Sequence, residues 1–196
     1  MDHRAAKSYI LDQLRRHLPE DRRYRSLAHT LDVYAVAIDI GEKEGIGEED
    51  MVLLKTAALF HDCGFLRQKD EHERVGCEIM REALPQFGYG EEHLDRMCAM
   101  IMATRIPQSP KDLLSRILCD ADLDYLGRPD FFTIGDDLFR EMIAYGRVRT
   151  EREWNELQVE FLTAHRYFTA TNQRDREPGK QAHLAAVRRL LAEEEA

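Results

Sequence analysis

Apolar residues recur along this chain at helical spacing from near its start, and no stretch alternates as a half-buried strand would. Between residues 7 and 18, Ile10, Leu11, Leu14 and Leu18 form one stripe that stops at Pro19. A second helix is predicted over 23–43. Leu27, Leu31, Tyr34, Ala35 and Ile38 mark one of its faces, and His29, Val33, Val36 and Ile40 the opposite one, so it is expected to be buried on both. A third, over 48–63, opens with Glu48, Glu49 and Asp50, which suit the positive end of a helix, and stops at Gly64. Residues 71–84 form a fourth helix, closed by Pro85. In 91–104, Leu94, Met97, Cys98 and Ile101 take the i, i+3, i+4, i+7 positions. After a loop with two prolines (105–110), further helices are expected over 111–126, 131–147, 151–172 and 178–194. The pattern predicts an all-α, compact single-domain helical bundle spanning 1–196.

Charge narrows the partners. With 37 acidic against 28 basic residues the formal charge is −9, which argues against nucleic acid as a partner. No apolar run approaches the roughly 18 residues that span a bilayer, and the first thirty residues do not pattern as a signal peptide, so no membrane association is expected and the predicted location is cytoplasmic. The four cysteines, Cys63, Cys77, Cys98 and Cys119, contain no CxxC pair; this excludes a zinc ribbon or thioredoxin-type site and reads as small buried thiols.

The chemistry concentrates at Phe60-His-Asp-Cys-Gly64. On a helical wheel His61 falls in the middle of the stripe made by Leu53, Leu54, Ala57 and Ala58, with Asp62 at its edge. Burying both costs desolvation unless something compensates: a divalent cation, or hydrogen bonds to a carbonyl and to a neighbouring helix end. His29 lies on an apolar face of the second predicted helix, and Cys119-Asp-Ala-Asp-Leu-Asp-Tyr-Leu-Gly127 sets three carboxylates in an otherwise apolar helix. Imidazoles and carboxylates without a thiolate suit Mn, Fe, Co, Ni, Zn or Mg in an octahedral site with open water positions. The wheel does not choose among the acids: Asp124 is nearest the apolar centre, and Asp120 and Asp122 flank it.

The order His29, His61-Asp62, then an Asp in Ala121-Asp122 resembles the HD-domain superfamily of metal-dependent phosphohydrolases. Leu59–Phe65, Glu71-His-Glu73, Ile101–Thr104 and Asp120–Gly127 match further, so the resemblance covers about 24–130, with the helices of 131–196 expected to pack on that core. It implies His29, His61, Asp62 and Asp122 as ligands of one divalent metal ion, with Asp120 and Asp124 as alternatives to Asp122. It implies catalysis through Asp62 and Glu73, the latter orienting or deprotonating a water. His72 would meet phosphate or a second metal; Arg67, Lys69 and Arg105 would neutralise an anionic substrate; Arg22, Arg23 and Arg25 would form a phosphate-facing rim. His165, between Phe161 and Phe168, reads as core. One departure bears on metal number: Thr104 stands where binuclear relatives carry a histidine, and His93 lies too early to replace it. The Gly-Tyr-Pro signature of the cyclic-dinucleotide branch is missing. The implied function is hydrolysis of a phosphoester or phosphoanhydride in a nucleotide or similar phosphorylated small molecule. The alternative is a non-catalytic HD-type module that senses a nucleotide or docks a signalling partner, which metal-dependent turnover would exclude.

Overall fold

Ser26 and Asp2 show how the first helices are set. In the computed structural model, which describes residues 1–18 and 26–193, Asp2 accepts a hydrogen bond from the Ala5 amide at 2.9 Å and starts α1 (His3–His17), earlier than the apolar stripe alone indicates. Ser26 caps α2 (Leu27–Lys43) by accepting from the His29 amide at 3.3 Å. Then follow α3 (Glu48–Phe60), α4 (His72–Ala83), α5 (Glu91–Ala103) and α6 (Leu113–Asp122), with 3-10 turns at Cys63–Leu66 and Leu84–Phe87. The arginines 22, 23 and 25 lie outside the described residues. Among the described residues there is no strand, and no helix is long and apolar enough to cross a membrane.

The chain divides into two compact units, the first running to Asp122 and the second beginning at Leu123. In the first, Ile10, Val33, Ile40, Leu53, Leu54, Phe60, Met80, Leu94, Met97 and Ile117 belong to one apolar cluster. Helix α2 buries a single stripe, Thr30, Val33, Ala37, Ile40 and Gly41, while Leu31 and Ala35 are exposed, so the expectation of burial on both faces is corrected. Gly64 also has a different role from the helix stop expected of it. Helix α3 already ends at Phe60, and a Cβ on Gly64 would lie 1.9 Å from the His72 carbonyl oxygen; the glycine is there to let two backbone segments touch.

His3 is held within this unit between Thr56 Oγ1 (3.0 Å) and the Tyr34 hydroxyl (3.2 Å). Burial, with Lys55 and Lys7 adding repulsion, pushes its pKa down from 6.5 to about 4. The unfolded chain therefore binds an extra proton between pH 6.5 and 4, and stability is expected to fall as the pH drops through that window. Because the ring is partly exposed, screening cuts the effect to about 1 kcal/mol. Urea midpoints measured from pH 7 to pH 4 check this: His3→Gln should flatten the decline, and an unchanged slope would contradict it.

The second unit contains a 3-10 turn at Asp124–Gly127 and helices α7 (Phe131–Ala144), α8 (Glu151–Ala164), α9 (Ala170–Asp175) and α10 (Glu177–Glu193). Its own apolar cluster joins Leu123, Tyr125, Leu126, Phe131, Leu162, Tyr167, Leu184 and Val187. The single helix expected over 151–172 is two. The chain turns extended at His165, and Thr169 caps α9 by accepting from the Asn172 amide at 3.2 Å. The break inserts Tyr167 into the cluster, where its hydroxyl donates to the Leu123 carbonyl at 3.2 Å. His165 stays among these aromatics, packed edge-on against Tyr167 with ring centroids 4.8 Å apart.

Candidate metal centre

The four residues with candidate ligand roles stand at helix ends, where the backbone can aim a side chain without continuing the helix. His29 sits in the first turn of α2, held by the Ser26 cap. His61 follows the fully buried last turns of α3 and is itself 1% exposed. Its Nδ1 lies 2.8 Å from the Ala58 carbonyl oxygen. In the neutral ring that a metal would bind, an N–H at Nδ1 donating to that carbonyl leaves the Nε2 lone pair facing inward. Asp62 has left the helix (φ −104°, ψ 4°), and Asp122 is the last residue of α6.

These side chains converge. His61 Nε2 is 3.3 Å from His29 Nε2, and Asp122 Oδ1 is 3.2 Å from His29 Nε2 and 3.5 Å from His61 Nε2. Asp62 Oδ2 lies 3.5 Å from His61 Nε2 and 3.7 Å from His29 Nε2. Ligand atoms of His29, His61 and Asp122 all fall within 4.8 Å of one another, the one such group of three among the described residues. Burial pulls the His61 pKa down, but the Asp62 and Asp122 carboxylates outweigh it and push it up to about 9. Burial likewise works against ionised Asp62 and Asp122, yet His61, His72 and His29 around the first, and His29 and His61 around the second, hold both carboxyls well below their usual range. Two imidazoles and two ionised carboxylates, facing one another and largely shielded from solvent, form a donor set that a divalent cation fits.

The structure separates the three acids that the wheel left open. Asp122 faces the histidines. Asp124 belongs to the second unit, where Arg176 Nε donates to its Oδ1 at 2.8 Å, Asn172 Nδ2 at 3.1 Å, and Arg128 lies 3.6 Å from Oδ2. Asp120 is fully buried in α6 and absent from the group of convergent ligand atoms.

Around this centre, His72 and Glu73 open α4. Glu71 precedes them with a left-handed backbone (φ 55°), which turns the chain into the helix. His72 stacks on Phe65 (ring centroids 4.1 Å apart) and places Nε2 3.2 Å from Asp62 Oδ1 and Nδ1 3.5 Å from Glu73 Oε2. This link between Asp62 and Glu73 escaped the sequence reading, which aimed His72 at phosphate or a second metal; the signal was a histidine ten residues beyond the doublet with an aromatic between. Of the expected cations, Arg67 is committed to Glu82 at 3.1 and 2.5 Å. Arg105 is exposed and lines, with Ser109 and Lys111, a cavity of about 450 Å³ that none of the four candidate ligands borders. Lys69 is half-buried in the loop before α4. His93 Nδ1 accepts from the Gly90 amide at 3.2 Å, and the Thr104 hydroxyl donates to the Ile101 carbonyl at 2.8 Å, so both serve the ends of α5. The four cysteines are free thiols, with Cys98 alone partly exposed.

Comparison with known proteins shows the fold and the family. No curated protein matches the chain. Among solved structures, it is similar to a predicted HD superfamily hydrolase from an uncultured Thermotogales bacterium, at 24% identity and a TM-score of 0.61, over 95% of this chain and 91% of that one. It is also similar to Bacillus subtilis YpgQ, solved in complex with ADP, at 21% identity and a TM-score of 0.65, over 96% of each chain. Both share the fold. The HD domain profile matches residues 26–124, a span that holds His29, the His61-Asp62 doublet and Asp122, and the chain therefore belongs to the HD-domain family.

Proposed function

We propose that this protein is a metal-dependent phosphohydrolase that cleaves a phosphoester or phosphoanhydride of a nucleotide or similar small molecule. The observation that carries this reading is the convergence of His29 Nε2, His61 Nε2 and Asp122 Oδ1, with Asp62 beside them. Those four residues would hold one divalent ion, which would supply Lewis acidity to a phosphoryl oxygen and to an attacking water. Glu73, buried and beside His72, accepts the proton of that water. His72 fixes the Asp62 carboxylate through the Nε2–Oδ1 contact. Lys69, in the loop that delivers His72, meets the substrate's phosphate charge. The ADP bound to YpgQ supports a nucleotide as the substrate class.

Elemental analysis followed by a panel of nucleotides with Mn, Fe, Co, Ni, Zn and Mg tests this. The expected result is close to one metal per chain and turnover that requires it. Asp62→Ala should lose both while keeping its helical circular dichroism, because it removes a charged ligand and no core packing. Full metal occupancy in that variant would sink the ligand assignment. Binding of nucleotides without turnover under any metal would overturn the hydrolase reading in favour of a sensing module.

A further inference from the structure

Between α7, α8 and the end of α10 the second unit has a cavity of about 290 Å³ bordered by Phe132, Phe139, Trp154, Asn155, Gln158 and Gly135. Trp154 is stacked on Phe139, with ring centroids 5.8 Å apart and planes 24° from parallel. Phe132 is 43% exposed although it borders a pocket. Two buried amides sit beside these rings. Gln158 Nε2 donates to Asn155 Oδ1 at 3.1 Å, and among the described residues the two side chains bond only to each other. That leaves Gln158 Oε1 as an acceptor and Asn155 Nδ2 as a donor. Gly135 also borders the cavity, and a Cβ built there would stand 3.7 Å from Gln158 Oε1. Neither of these atoms is sealed from solvent, so a ligand in the cavity can complete their hydrogen bonds in place of water.

We propose that this cavity binds a nucleobase of the adenine type. A flat heterocycle can lie against the Trp154–Phe139 aromatic wall, where stacking does not depend on base identity. The amides add the selection. An exocyclic amino group donates to Gln158 Oε1, and a neighbouring ring nitrogen accepts from Asn155 Nδ2, the pattern along the adenine edge. Asp136, Arg140 and Glu151 also line the cavity, so its charged groups do not favour an anionic substituent, and the ligand is an uncharged nucleoside. The site is composed wholly of residues from the second unit, so it stands independently of the metal centre.

Trp154 is the only tryptophan in the chain and reports directly on this cavity. Adenosine titrated into the full-length protein in the presence of EDTA should quench its fluorescence saturably, with a dissociation constant of about 0.1–1 mM. EDTA separates the outcome from that of the proposed hydrolase activity. Purine riboside, which lacks the amino group, should bind about tenfold more weakly. In Gly135→Ala the new methyl makes an ordinary contact with Gln158 Oε1, so the fold should persist with Tm no lower, while adenosine binding weakens about tenfold or more. No saturable quenching up to about 10 mM adenosine, equal affinity for purine riboside, or unchanged binding in Gly135→Ala would each overturn the proposal.

Discussion

Asp122→Asn is expected to lower metal affinity by more than about 100-fold and to remove turnover with it, while Asp120→Asn and Asp124→Asn keep the metal. The substitution preserves volume and hydrogen-bonding shape but deletes the charge that faces His29 at 3.2 Å and His61 at 3.5 Å. Asp124→Asn should instead show in stability, since Arg176 and Arg128 lose their shared carboxylate. Removing one partner of a buried pair costs about 3–5 kcal/mol, and with Arg176 30% exposed the expected loss shrinks to about 1–2 kcal/mol. Metal titrations and denaturant midpoints on the three variants separate these effects. An equal loss of metal from all three would show that Asp122 has no special position.

Gly64→Ala should have the second largest effect, and of a different kind. Its Cβ would lie 1.9 Å from the His72 carbonyl oxygen and 2.6 Å from the carbonyl carbon, so relief requires the start of α4 to move away from the Cys63–Leu66 turn. Backbone atoms cannot rotate aside as a flexible side chain does, and the expected cost is about 3 kcal/mol. His72 and Glu73 ride on the displaced segment, whereas none of the four candidate ligands does. Turnover is expected to fall about 100-fold, as it does for misplacements of about 1 Å. Metal affinity should fall no more than about tenfold, through the lost His72–Asp62 contact. Wild-type stability together with wild-type turnover would mean that the close approach carries no weight.

The sequence revealed the helices of the first unit because each needs one buried stripe, and it revealed the centre because His29, His61 and Asp62 interrupt such stripes with polar groups. It mis-set the end of α6. Leu123, Tyr125 and Leu126 continue the apolar rhythm past Asp122 because they serve the second cluster, so periodicity joined two segments with different cores. That same extension put Asp124 at the centre of a wheel that no longer applied, because the backbone leaves the helix at Leu123 (φ −111°, ψ 18°). The 165–169 break was hidden likewise, since Phe161, Tyr167 and Phe168 keep up an aromatic density that reads as one helix. The role of His72 had no periodic signature at all. It depends on a glycine eight residues earlier admitting a backbone contact, and contacts between backbones leave almost no trace in hydrophobic pattern.

The left-handed turn at Glu71 bears on how sequence variation in this segment should be read. A side chain with φ of 55° carries a steric penalty that asparagine, aspartate and glycine escape more easily and β-branched residues feel most. The Glu71 carboxylate pairs with Arg74 at 3.2 Å, and both side chains are about half exposed, so its charge has little claim on the position. In related chains, then, a narrow choice of residues at this place would record the geometry of the bend that delivers Glu73. An alignment would display it as a restricted position beside Glu73, and it would be easily mistaken for part of the chemistry.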